Sequence, residues 1–362
     1  MLRLEPRAQP SNVWRYASPL LALAITVVLG VMLFVALGKD PVRGLQVFFW
    51  EPIKSVYALS ELMVKATPLL LIALGLAVCF RSNVWNIGAE GQFVMGAVFA
   101  SGVALTADAN TGAGFWVLIL LAGIAGGMVW AGVTAFLRDR FHANEILVSL
   151  MLVYVAIMTL NFLVYGPWKD PLGYNFPQTK TFDAITQIPK LITGTRVNIG
   201  VLLVLAGVGV LWVFLFRTHA GFAQQVGGLA PDAARYAGFS SRKALWLALL
   251  TSGAAAGLAG ALEVAGPLRQ LTPFVPVGYG FAAIIVAFVG RLHPVGMVLS
   301  ALLMSMFYIG GELAQSRLGL PRSLTGVFQG LLLFTLLACD TLMQYRVRWV
   351  ARASQTSSEG AL

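Results

Sequence analysis

Ten apolar segments separated by short polar stretches set the first limit on what this chain can fold into. They run at about 16–38, 61–80, 92–107, 113–137, 146–166, 198–216, 244–266, 278–291, 294–313 and 322–344. Most are near the roughly 20 residues that carry an α-helix across the ~30 Å hydrocarbon core of a bilayer. In that medium the backbone must close its own hydrogen bonds, which a helix does within one segment. The sequence therefore predicts an all-α, polytopic membrane protein with about ten transmembrane segments, organised as one domain over 1–362. Composition agrees, since 58% of residues are hydrophobic and 11% charged, more apolar material than one water-soluble core needs.

The first segment follows Arg3, Arg7 and Arg15 and resembles a signal peptide at its start. Its length and the lack of an A-x-A site before Lys39 predict an uncleaved first helix instead. With the N-terminus cytoplasmic, the short connections carrying Arg138 and Arg140, then Arg217, Arg235, Arg242 and Lys243, then Arg291, and finally Arg346, Arg348 and Arg352 all fall inside. The stretches 39–60 and 167–197 then lie outside, 167–197 as a long extracytoplasmic loop, and both termini are cytoplasmic.

Segments 92–107 and 278–291 are short for a full span and adjoin stretches rich in Gly, Pro and polar residues. Short segments at corresponding places in two halves predict broken helices around a pathway near the membrane midplane. AVCFRSNVWNIGAEGQFVMGAVFASG (77–102) and VAFVGRLHPVGMVLSALLMSMFYIGG (286–311) share an apolar run, a lone Arg, a polar break and a Met-rich run, which points to a two-half internal repeat. The break at NVWNIGAEGQ (83–92) concentrates amides and an acid. Polar side chains in hydrocarbon are costly, so Asn83, Asn86, Glu90 and Gln92 are expected to face protein or a water-filled cavity. Gly88 and Gly91 would permit a non-helical break, and Trp85 would offer a ring face. These residues either line the substrate route or only hold the break together.

SGAAAGLAGAL (252–262) sets Ser252, Ala256 and Gly260, and also Gly253 and Gly257, on shared helix faces, and Gly123 and Gly127 repeat the spacing. Small residues so placed let helices approach closely in lipid. In the loop 217–243, PDAARYAG has Pro231 at a first helical turn, Asp232 at its positive end and Gly238 as a stop, which predicts a short surface helix. Ala230 is a poor N-cap, so a docked partner is expected to hold that helix.

Several classes drop out. The net charge of +10 comes from scattered basic residues with no basic run, which argues against nucleic acid. The chain has no G-x-x-x-x-G-K-[ST] loop, no H-E-x-x-H and no nucleophile elbow, and His142, His219 and His293 are far apart. No catalytic or metal-ligating residue is assigned. Cys79 and Cys339 lie in apolar stretches and read as small hydrophobes.

NVWNIGAEGQFVMGA resembles the asparagine-glycine-glutamate-glycine-glutamine signature of permease subunits in ABC importers of the nucleoside type. That is a basic-membrane-protein-associated branch of the branched-chain amino-acid and simple-sugar permeases. ANEILVSLMLVYVA (143–156) and GGLAPDAARYAGFSSRKALWLALLTSGAAAGLAGALEV (227–264) are similar to two further stretches of that family, in the same order. The resemblance implies a non-enzymatic pathway subunit in a bacterial inner membrane. Its partners would be an ATPase carrying the ATP and Mg, a second permease chain and an extracytoplasmic substrate-binding lipoprotein. It also implies that Asp232, Ala233, Ala234, Arg235, Tyr236, Ala237 and Gly238 form a coupling helix seated on the ATPase. Leu229-Ala230-Pro231 departs from the family's usual pattern there. Alternatives are a simple-sugar permease of the same class, a secondary transporter or channel acting alone, and a membrane-embedded enzyme. A lone transporter would rely on few intramembrane carboxylates, chiefly Glu90 and Glu263, and an enzyme lacks paired titratable groups.

Overall fold

The computed structural model describes residues 2–6, 12–108, 111–112, 114–321 and 323–349, with side chains described from residue 17 to residue 340 within those ranges. Arg7, named ahead of the first segment, and Arg352, named in the orientation argument, lie outside the described residues. A helix stands at each of the ten apolar segments: α1 (Asn12–Ala36), α3 (Val56–Arg81), α4 (Ala89–Ala104), α5 (Phe115–Phe141), α6 (Glu145–Tyr165), α7 (Gly200–Arg217), α10 (Ser241–Glu263), α11 (Tyr279–Val289), α12 (Pro294–Leu318) and α13 (Leu324–Gln344). Shorter helices are α2 (Pro41–Leu45), α8 (His219–Leu229) and α9 (Pro231–Tyr236). Among the described residues, seven helices are long and apolar enough to cross a membrane, namely α1, α3, α5, α6, α7, α10 with its π-helical extension to Leu268, and α12. The apolar stretches of α11 and α13 are shorter, as is the 16-residue α4.

The fold is all-helical as expected, with one short ladder beside the helices. Strands β1 (Leu2–Pro6) and β2 (Tyr345–Trp349) pair antiparallel, Leu2 opposite Trp349 and Pro6 opposite Tyr345. YRVRW alternates apolar and basic residues with period two, which suits a strand. Too short to cross a bilayer, it carries no weight in a reading built on long apolar runs.

The chain divides into two compact units. One comprises the residues up to Leu45 and from Pro321 onward, with α1 against α13. Its apolar contact is tied by polar pairs: Thr26 and Thr335 share a 3.0 Å hydroxyl contact, and the Ser18 hydroxyl donates to Asp340 at 2.7 Å.

The other unit, Gln46–Leu320, has α10 at its centre, packed on α3, α4 and α5. The small-residue faces do what their spacing predicts. A Cβ on Gly127 would lie 2.7 Å from Gly257 Cα, and one on Gly75 would lie 2.9 Å from Ser252 Cα. Gly96 and Gly260 close the α4 side of α10 in the same backbone-to-backbone manner. Gly257→Ala is expected to overpack this crossing at a cost of about 1–3 kcal/mol. A thermal melt in detergent checks it: Gly257→Ala should melt below the parent, whereas Gly209→Ala, which meets nothing within 4 Å, should not.

Helix ends are set by local chemistry. The hydroxyls of Ser55, Thr218 and Ser240 and the Asn144 amide oxygen accept backbone N–H bonds at the starts of α3, α8, α10 and α6. The α5 to α6 turn is closed by an Arg138–Glu145 ion pair, and Asp139 accepts from Arg242 at 2.7 Å and from the Trp246 indole at 3.1 Å.

Candidate helix-break site and the exposed 217–243 segment

Helix α3 ends at Arg81, and left-handed Asn83 (φ 54°) turns the chain into the non-helical stretch that precedes α4. Within it the Asn86 and Gln92 side chains bond each other twice. Asn86 Nδ2 donates to Gln92 Oε1 at 2.9 Å, and Gln92 Nε2 donates to Asn86 Oδ1 at 3.1 Å. Asn86 also donates to Ser252 Oγ on α10 at 2.9 Å and accepts from Gly88 N at 3.1 Å. Both amides are buried, and every side-chain nitrogen and oxygen of the pair has a partner, as buried polar groups require.

Glu90 sits in the first turn of α4, 2% exposed, and its carboxylate reaches a second helix start. Gly278 N donates to Oε1 at 2.8 Å and Gly280 N to Oε2 at 2.5 Å. Gly278, the residue ahead of α11, has φ 85° and offers no side-chain cap. Glu90 therefore supplies from another helix the acceptors that a capping residue would supply locally, at the positive end of the α11 dipole. Glycine is required at 278 by its left-handed backbone. At 280 it is required because a Cβ would fall on the Glu90 backbone. Two short helices, about 24 Å and 16 Å long at 1.5 Å per residue for their 16 and 11 residues, thus meet start to start.

The structure pairs Asn86 with Gln92, turns Glu90 to the start of α11, and leaves Asn83 and Trp85 at the surface. The Trp85 indole donates to Asn83 Oδ1 at 3.2 Å, and its ring lies 5.4 Å from Phe80 and 6.3 Å from Phe288, which stack on each other at 5.0 Å. Gly88 and Gly91 are glycines for a different reason from the one the sequence suggested. Gly88 has φ −87°, and a Cβ there would lie 2.7 Å from Ser149, while one on Gly91 would lie 3.0 Å from Val153 Cα. Helix α6 passes too closely for a side chain at either position.

Beyond α7 the chain forms α8 and α9 in succession. The sequence reading anticipated only the second. Ala230 caps α9 with no side-chain bond, Pro231 opens it, and Gly238 (φ 83°) ends it. Asp232, Ala233, Arg235 and Tyr236 point outward, Tyr236 at 98% exposure, while Ala234 is buried. A cleft of about 1020 Å³ opens beside them, lined among others by Asn83, Arg138, Asn144, Gln224, Arg235 and Arg242.

Sequence reasoning missed the residues that join this segment to the break. Gln224 contacts the Ser82 hydroxyl and donates to Ala244 O at 3.2 Å. Gln225 accepts from Arg81 Nη1 at 2.9 Å and donates to Leu215 O at 2.7 Å. Arg81 Nε in turn donates to Leu292 O at 3.0 Å, in the turn between α11 and α12. The available signal was a Gln-Gln pair inside FAQQVGG, placed where an amphipathic helix would bury it.

The description "Branched-chain amino acid transport system / permease component" fits residues 58–337, a stretch that contains the break, both short helices and the α8–α9 segment. The chain belongs to this permease family. The permease is 33% identical to the glucose ABC transporter permease protein of Haloferax volcanii, over 96% of this chain and 93% of that one. It is 27% identical to the guanosine ABC transporter permease protein of Bacillus subtilis over 85% of this chain and 89% of that one. It is 25% identical to a nucleoside ABC transporter permease protein of Lactococcus lactis over 87% and 89%. Among solved structures, PsaBC from Streptococcus pneumoniae in complex with Fab aligns with 83% of this chain and 93% of that one, at 12% identity and a TM-score of 0.39, too distant to carry a functional reading. The permease is a multi-pass membrane subunit of an ABC transporter.

Proposed function

We propose that the permease forms one half of the membrane pathway of an ATP-driven importer for a nucleoside or a related small polar solute. The observation that carries this reading is the match along most of its length to guanosine and nucleoside permeases. The Haloferax relative favours a second reading within the same class, a simple sugar such as glucose. Both solutes are rich in hydroxyls and need a wet, polar route through hydrocarbon.

In this reading the ten apolar helices lie in a bacterial inner membrane, α4 and α11 as half-spans that meet near its midplane, and both termini are in the cytoplasm. ATP and Mg are bound by a separate ATPase, which docks on α8 and α9 and supplies the partner that uncapped α9 lacks. A second permease chain completes the pore, and an extracytoplasmic lipoprotein delivers the solute. Asn86, Glu90 and Gln92, with Gly88 and Gly91 beneath them, hold the helix break, while Trp85 and Asn83 stand at its open edge.

Two measurements test this. A tagged permease extracted in mild detergent should bring down an ATPase subunit, and the Tyr236→Glu variant should bring down less. Recovery of the permease alone under every extraction condition would oppose the reading. Orientation is checked by thiol labelling on intact cells. Tyr174→Cys, in the 167–197 loop and 94% exposed, should react with an impermeant reagent, and Tyr236→Cys should react only after the membrane is opened. Cys79 and Cys339 are buried and give little background. The reverse pattern would invert the topology.

A further inference from the structure

Helices α6 and α7 expose mainly apolar side chains and no charged one along most of their length, including Met151, Met158 and Phe162 on α6 and Leu202, Val210 and Val213 on α7. The surface formed by α3 and α12 near the ends remote from α9 is different. Lys65, nine residues into α3, donates to Glu312 at 3.1 Å, and the Glu312 side chain is 56% exposed. Nine residues are about 13 Å of α3, and Glu312 stands six residues, about 9 Å, before the end of α12, so this pair lies in the outer part of the span. Glu312 shares one face of α12 with Tyr308 and Ser316, four residues before and after it.

More polar groups converge on the same place. The Lys65 ammonium lies 5.8 Å from the centre of the Tyr279 ring, which meets Tyr308 edge-on at 5.4 Å. Tyr279 is completely buried, and its hydroxyl has no hydrogen-bond partner among the described residues. Glu263, at the end of α10, is in the electrostatic field of Lys65, Arg196 and Glu312. Arg196 belongs to the 167–197 loop, and its ion pair with Glu61 on α3 joins that loop to the cluster. Arg196 and Asn198 also line a neighbouring cleft of about 350 Å³.

A half-exposed ion pair is costly against lipid tails even in the outer part of a span. We infer that the face bearing Lys65, Tyr308, Glu312 and Ser316 is the water-filled wall of the solute route, and that its ammonium, carboxylate and phenol groups bind an uncharged solute rich in hydroxyl or amide groups. Lys65 and Glu312 present a donor and an acceptor side by side. The Tyr279 hydroxyl and Glu263 extend that pattern inward. The solute class rests on the importer reading above, whereas the assignment of the wetted face does not.

Single cysteines separate the two. Lys65→Cys, Glu312→Cys and Tyr308→Cys should react with a small charged methanethiosulfonate added from the 167–197 side about tenfold or more faster than Met158→Cys, because a thiol ionises and reacts in water and not in lipid. Tyr308→Cys leaves the ion pair intact, so it reports even if the other two variants are poorly inserted. Guanosine or glucose should slow labelling at 65 and 312. Reactivity at all three positions no greater than at 158 would overturn the inference, as would cross-linking of 312 to a second permease chain without labelling. Labelling without protection by either solute would retain the wetted face and remove the binding role. Loss of ATP-driven uptake in the unmodified assembly, with labelling intact, would count against the importer reading alone.

Discussion

Replacing Glu90 by leucine is expected to give the largest loss of stability of any single change considered in this permease. The substitution removes the acceptors for Gly278 N and Gly280 N, each bonded to its own carboxylate oxygen. Both donors belong to the uncapped start of α11, and no other acceptor is bonded to them among the described residues. Each buried donor left without a partner costs about 1–3 kcal/mol, so the two together approach the stability margin of many proteins. Glu90→Gln should fall between the parent and leucine. Its carbonyl oxygen retains one bond, while its NH₂ group faces the other donor and can accept nothing from it. Melting temperature in detergent and uptake in cells should both rank parent, glutamine, leucine. Equal loss of uptake in two stably folded variants would instead mark Glu90 as a titrating carboxylate, since glutamine keeps the shape and loses only the proton.

Arg235→Glu and Gly238→Val should each abolish uptake while the permease still reaches the membrane. Arg235 is exposed on α9 and has no acidic partner among the described residues, so reversing its charge disturbs an external contact and little within the fold. Gly238 holds φ 83°, a conformation that costs a β-branched residue about 1–2 kcal/mol or forces the turn to rearrange. The consequence travels through α8. Gln225 holds Arg81 at the end of α3, and Arg81 holds the turn between α11 and α12. Gln224 holds Ser82 at the threshold of the break. In the proposed coupling, a push on α9 would reach the chain on both sides of the Glu90 contact. Gln225→Ala should lower uptake less severely, because Arg81 keeps its bond to Leu292. Normal uptake in the Arg235 and Gly238 variants, at equal membrane abundance, would remove this loop from energy coupling.

Much of this was legible in the sequence. The apolar runs marked every long helix, since length and hydropathy alone decide that in a bilayer. The four-residue spacing of Gly253 and Gly257 announced the close crossing with α5. The polar cluster at 83–92 was legible as a break, and its inward-facing amides follow from the cost of leaving them in lipid. The partner of Glu90 was not legible. Gly278 and Gly280 lie nearly two hundred residues away and contribute only backbone N–H groups, which leave no mark on residue type. The reason for Gly88 and Gly91 was misassigned for a related cause. A glycine that admits a neighbouring helix and one that permits a turn look alike in sequence. Helix α8 was absorbed into a loop because its length of 11 residues and its two glycines near the end weaken the helical pattern.

The most direct test of the central claim is uptake by the reconstituted assembly. The permease, its companion chain and the ATPase would be placed in proteoliposomes with the binding protein outside, and entry of radiolabelled guanosine, adenosine and glucose followed with ATP inside. Accumulation of at least one nucleoside that stops when ATP is replaced by a non-hydrolysable analogue is the predicted result. Equal accumulation with the analogue, or in vesicles that hold the permease without the ATPase, would contradict it.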